Sequence, residues 1–133
     1  MIKSLIITHG NLGREMVQVA EKILEKKLDI ENISFDWKGD GSEMVSQIER
    51  FIRENQGNDI IIFTDMFGGS PANISTRFID PKIEVVSGIN LPGLLKFVSY
   101  RNKKTTLKEL VKIIERGAIE GITIISEYLG EKK

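Results

Sequence analysis

The chain holds one histidine, His9, set between Thr8 and Gly10. It follows the apolar run Leu5-Ile6-Ile7 and precedes a glycine. That pattern is a buried strand leaving its sheet through a tight turn. His9 is thus placed at the C-terminal end of a strand, where open α/β sheets bind ligands. A second group has the same character. Ile60-Ile61-Ile62-Phe63 ends in Thr64-Asp65 and is followed by Met66-Phe67-Gly68-Gly69-Ser70-Pro71. Ser70 suits a helix N-cap and Pro71 the first helical position. Free backbone N–H groups at Gly68-Gly69-Ser70, reinforced by the helix dipole, would form an anion site. Asp65 can accept a hydrogen bond from one imidazole nitrogen and leave the other unprotonated, as a nucleophile or general base. A nucleophilic nitrogen beside an anion cradle suits phosphoryl transfer through a phosphohistidine. Each part alone has an ordinary reading: a loop histidine, a solvated carboxylate, a Gly-Gly turn, a serine cap. Gly68-Gly69-Ser70 is not a P-loop, because the spaced glycine and the lysine are missing.

The site depends on strand order. The hydrophobic pattern reads βαβαβαβααβ, an α/β fold in a single domain over 1–133. Strands are expected at Lys3–Thr8, Ile33–Trp37, Asp59–Thr64, Ile83–Ser87 and Ile122–Ile125. Leu12, Met16, Val19, Ala20, Ile23 and Leu24 make the first helical stripe, with Asn11 as its cap. Asp40 with Glu43, and Thr106 with Glu109, resemble capping boxes. The third helix is expected from Pro71 through Ala72, Ile74 and Phe78 to Ile79, ahead of Pro81. Arg101 to Lys104 is read as a solvated basic bend, and 131–133 as a frayed end. In a doubly wound sheet of order 2-1-3-4 with helices on both faces, the crevice between strands one and three is the switch point. His9 and Asp65 then face each other across it.

Composition narrows the chemistry. Nineteen basic and nineteen acidic residues cancel, so no bulk attraction to nucleic acid or an anionic membrane is expected. Without cysteine, disulfides, thiolate metal sites and cysteine nucleophiles are excluded. One histidine excludes a multi-histidine metal centre; no metal and no cofactor are expected. No apolar run approaches the ~20 residues needed to span a bilayer, and Met1-Ile2-Lys3 begins no signal peptide. A cytoplasmic location is expected.

Three segments together resemble the mannose-family enzyme IIA component of the bacterial phosphoenolpyruvate-dependent sugar phosphotransferase system. They are Thr8-His9-Gly10, then Thr64-Asp65 with Phe67-Gly68-Gly69-Ser70-Pro71, then Gly88-Ile89-Asn90-Leu91-Pro92. The resemblance runs from about Ile2 to Leu129. It implies that His9 takes a phosphoryl group from the phosphocarrier protein HPr and passes it to the IIB component. It implies that Asp65 orients His9, and that Ser70, with Gly68, Gly69, Thr8 and Gly10, holds the phosphoryl group. It also implies a homodimer that exchanges a C-terminal antiparallel strand around Gly121 to Ser126. IIB is expected as a separate chain, and the membrane components IIC and IID are reached only through it. Gly93 stands where relatives carry a larger residue. A related dihydroxyacetone-kinase phosphocarrier subunit is an alternative, disfavoured because that branch lacks Phe-Gly-Gly-Ser-Pro. A non-covalent anion or sugar-phosphate binding module is the other. Met66, Phe67, Asn90, Leu91 and Pro92 are expected to form a partner-docking rim, with Arg14 and Arg77 attracting an acidic edge.

Overall fold

Isoleucine-rich runs build a four-stranded sheet buried on both sides. A computed structural model describes residues 1–131. Its strands are β1 (Lys3–His9), β2 (Glu31–Phe35), β3 (Ile60–Thr64) and β4 (Ile83–Ser87). All three pairings are parallel and the order is β2-β1-β3-β4, so the expected topology holds. Parallel strands need crossovers. These are α1 (Leu12–Leu24), α2 (Ser42–Glu54) and α3 (Ser70–Ser75) with a 3₁₀ turn at Thr76–Phe78. After β4 come α4 (Leu91–Tyr100), α5 (Leu107–Glu120) and α6 (Ile125–Glu131).

Alternation along the strands divides the core. Ile6, Ile61 and Phe63 face α1, α4 and α5, packing with Val17, Ala20, Leu94, Phe97, Leu110 and Ile114. Leu5, Ile7, Ile60 and Ile62 face the other way, onto Met44, Ile48 and Phe51 of α2 and Ile74 of α3. Each fully buried side chain of this size contributes about 1.5–3 kcal/mol. A one-residue slip of β1 would trade the two faces, so the core pins the level at which His9 leaves the sheet. Register sets His9 opposite Phe35 on β2, and Ile7 opposite Thr64 on β3.

Local expectations divide. The Thr106–Glu109 capping box forms with both bonds, as expected. The Asp40–Glu43 box does not: Gly41 caps α2, and Asp40 instead accepts the Ser42 N–H at 3.0 Å. The third helix stops at Ser75 and tightens into the 3₁₀ turn. There Ser75 Oγ and Thr76 Oγ1 donate to the carbonyls of Pro71 and Ala72, which bends helices. Arg101 is not solvated. It is 5% exposed, lies over the Phe97 ring at 4.5 Å, and donates to Ile2 O and Asp29 O. Burial pushes its pKa down, against the pull of the Asp29 charge.

The last expected strand is absent from the described chain. Residues 122–124 are irregular, and α6 starts at Ile125. Ile122 and Ile124 are exposed at 77% and 61%. A strand needs a ladder partner, and the Ile124 carbonyl instead accepts the N–H groups of Glu127 and Tyr128. Of the end expected to fray, Lys132 and Lys133 lie outside the described residues, and Glu131 closes α6.

Candidate active site

The switch point brings His9 and Asp65 together. Asp65 Oδ2 lies 2.9 Å from His9 Nδ1 and also accepts the His9 backbone N–H at 3.0 Å. One carboxylate oxygen therefore fixes both ends of the histidine, its main chain and its ring. A carboxylate can only accept, so Nδ1 carries the proton and Nε2 presents its lone pair. Asp65 Oδ1 is buried without a partner among the described residues.

The turn after β3 closes on the free side of that ring. Gly69 approaches so tightly that a Cβ there would lie 2.7 Å from His9 Cε1 and 3.4 Å from Nε2. This close approach shifts the cap by one residue from expectation. Gly69 is the N-cap, Ser70 the first helical residue and Pro71 the second. Ser70 is thereby the first helical residue rather than the cap, and among the described residues its hydroxyl has no hydrogen-bond partner. The first backbone bond of α3 runs from Asn73 N–H to Gly69 O, so the Ser70 N–H is one of the donors a helix start leaves unpaired. Gly68 makes the turn at φ +90°.

Thr8 and Gly10 are not brought into this cradle. Thr8 is fully buried, and its hydroxyl accepts the Gly13 N–H at 2.7 Å. It anchors the start of α1 to the strand that carries His9. The Gly10 N–H is taken by Phe35 O at 2.7 Å, and its φ of +54° makes the turn after His9.

A strand-end histidine oriented by a carboxylate, with a glycine-opened helix start against its second nitrogen, is the arrangement the three sequence segments implied. A family model described as "PTS system fructose IIA component" matches residues 3–115. The chain belongs to this family, EIIA-man. It is 27% identical to the "PTS system fructose-specific EIIA component" of Bacillus subtilis (strain 168), over all of this chain and 92% of that protein. It is 27% identical to the "PTS system mannose-specific EIIAB component" of Escherichia coli (strain K12), over 98% of this chain but 42% of that longer protein. The crystal structure of "phosphotransferase system component EIIA" from Streptococcus agalactiae superposes with a TM-score of 0.86 at 28% identity, covering 96% of this chain and 99% of that one.

Around the EIIA-man histidine, the expected rim divides. Met66 and Phe67 stand out from the turn, 56% and 89% exposed. Asn90 does not join them: its Oδ1 caps α4 through the Gly93 N–H, and its Nδ2 donates to Ala118 O. Leu91 packs against the core, and Pro92 lies where a Cβ on Gly121 would meet it at 2.5 Å. Gly93 is a close-packing position, since its Cβ would meet Ala118 Cβ at 2.9 Å. Arg14 and Arg77 are exposed; Arg77 sits with Asp40, Gly41 and Ser42 rather than at His9.

The sequence reading missed two aromatic neighbours of His9. Phe35 stands edge-on to the imidazole, with centroids 5.8 Å apart. Trp37 lies at 5.6 Å, tilted by 32°. Their signal was available: in parallel register, β2 ends level with His9. Among the described residues no three metal-ligating side chains gather, and no helix is long and apolar enough to cross a membrane.

Proposed function

We propose that His9 carries the phosphoryl group of a sugar phosphotransferase relay, accepting it on Nε2 from phospho-HPr and passing it to a IIB component. The observation that supports this most is the double hold of Asp65 Oδ2 on His9, with Nε2 turned to the Gly69 turn. The Nε2 lone pair attacks phosphorus, and the donor's P–N bond breaks with its electron pair returning to the donor imidazole. The His9 ring keeps its Nδ1 proton and becomes a phosphoimidazolium, whose charge Asp65 balances. The Ser70 N–H and hydroxyl would stabilise the phosphoryl oxygens as they shift. Transfer to IIB is the same displacement in the other direction. No sugar pocket is required, since the sugar is met further down the relay.

The reading extends to setting. A protein that hands a phosphoryl group between soluble partners works in the cytoplasm, and reaches membrane components IIC and IID only through IIB. Met66 and Phe67 would form the contact for both partners, and a transient encounter needs only a small area. The chain would be a homodimer. β4 is an edge strand, and a groove runs along it beside Val111, Lys112, Glu115, Ala118 and Ile119 of α5. An open edge accepts a further strand, and the exposed Ile122 and Ile124 of a second subunit would supply it.

Purified phospho-HPr, incubated with the protein in EDTA, should add one acid-labile phosphoryl group. Retention of phosphate without a covalent mass gain would favour the anion-binding module. Transfer that stops with EDTA and resumes with magnesium would refute the metal-free step.

A further inference from the structure

Trp37 is the chain's only tryptophan, and it is held in an unusual way. It belongs to neither core cluster and is 66% exposed. Its backbone sits at φ +67°, a left-handed conformation that residues bearing a Cβ avoid. Strained backbone of this kind persists where surrounding structure enforces it, and it clusters at functional sites. Here Asp36 closes an Asx turn across Trp37 by accepting the Lys38 N–H at 3.0 Å. The turn swings the indole back over the sheet end. Its far edge, Cη2 and Cζ3, would lie 3.6 Å from a Cβ on Gly10. The ring meets the His9 imidazole at 5.6 Å and Phe35 at 6.1 Å.

We propose that Trp37 is a positioning residue for phosphoryl transfer: a wall that holds the His9 ring in its Asp65-facing rotamer and shields the phosphoimidazole from water. The inference rests on the proposed function above. Asp65 fixes Nδ1, and Gly69 borders Cε1 and Nε2. The indole is a third neighbour, its centroid 5.6 Å from that of the imidazole and its plane tilted by 32°, within the separation at which aromatic rings attract. When the ring becomes cationic on phosphorylation, an indole within about 6 Å adds to the attraction. The loss Trp37 guards against is hydrolysis. There a water oxygen attacks phosphorus, the P–N bond breaks with its electron pair returning to Nε2, and inorganic phosphate leaves.

The test labels wild type, Trp37→Phe and Trp37→Ala with phospho-HPr, removes the donor, and follows decay of the phosphohistidine. Labelling by phosphoramidate is measured in parallel, because that small donor has no docking surface. Trp37→Ala should lose the label roughly 2- to 10-fold faster and label more slowly by a similar factor with either donor. Trp37→Phe should restore most of both rates. Thermal unfolding should be nearly unchanged, as an exposed side chain outside the core predicts. In wild type the indole fluorescence should change on phosphorylation, and in His9→Ala it should not. Equal decay in wild type and Trp37→Ala would overturn the proposal. So would a defect confined to the phospho-HPr KM, which would make Trp37 a docking residue. Failure of wild type to label at all would instead overturn the underlying function, and with it this inference.

Discussion

Gly69 is the residue at which backbone and chemistry meet most closely. Its φ is −80°, so an alanine is permitted there by the main chain; its severe conflict is with the His9 ring at 2.7 Å, with a milder one at 3.3 Å to the Cγ of the exposed Met66. Gly69→Ala should therefore fold as well as wild type but transfer phosphoryl on the order of 10²-fold more slowly, the effect of a misplacement of about 1 Å. Matched unfolding curves with matched transfer rates would show that the approach does not matter. His9 and Asp65 are legible from the sequence because each ends an apolar run. The cap is read one residue out. Preference tables favour serine over glycine at an N-cap, but they know nothing of a ring that leaves no room for a Cβ. Trp37 escapes notice because residue types do not show the left-handed turn that brings it back to His9; the parallel register that ends β2 level with His9 was the signal available.

At the scale of elements, four strands, their order and two-sided burial follow from hydrophobic runs and the handedness of crossovers. Arg101 shows the limit. A run of Arg, Asn and two lysines reads as a solvated bend, yet the guanidinium passes inward at the end of α4 and ties Ile2 O and Asp29 O together. It anchors the start of β1 and the approach to β2, the two strands whose far ends carry His9, Phe35 and Trp37. Arg101→Ala should destabilise the protein by about 2 kcal/mol, since the buried Ile2 carbonyl and the part-buried Asp29 carbonyl lose their donor. Arg101→Lys should recover only part, because an ammonium lacks the planar fork. Denaturant midpoints for the three proteins check this; a shift below about 0.5 kcal/mol for the alanine variant would mean that water replaces the guanidinium.

At the scale of the whole molecule, the unfinished business of the fold lies in the C-terminal segment. Ile119, Ile122, Ile124, Ile125 and Leu129 are exposed, and β4 presents an open edge. The C-terminal strand read from Ile122-Thr123-Ile124-Ile125 is right in composition but lacks a ladder within one chain, and a single sequence carries no statement about a second copy. If a second subunit covers these residues, a chain ended at Gly121 should sediment as monomer or aggregate, with the His9 site still folded. A stable, well-folded dimer of the shortened chain would show that Ile122 to Ile125 do not form the interface.

The central claim is that Asp65 holds Nδ1 of His9 and leaves Nε2 to carry the phosphoryl group. Two-dimensional NMR of the imidazole, with the protein ¹⁵N-labelled and phosphorylated by phospho-HPr, reads this directly. The account predicts phosphorus coupled to Nε2, with Nδ1 protonated and still bonded to Asp65. Phosphorus on Nδ1, or a phosphorylated protein whose His9 resonances are unchanged, would contradict it.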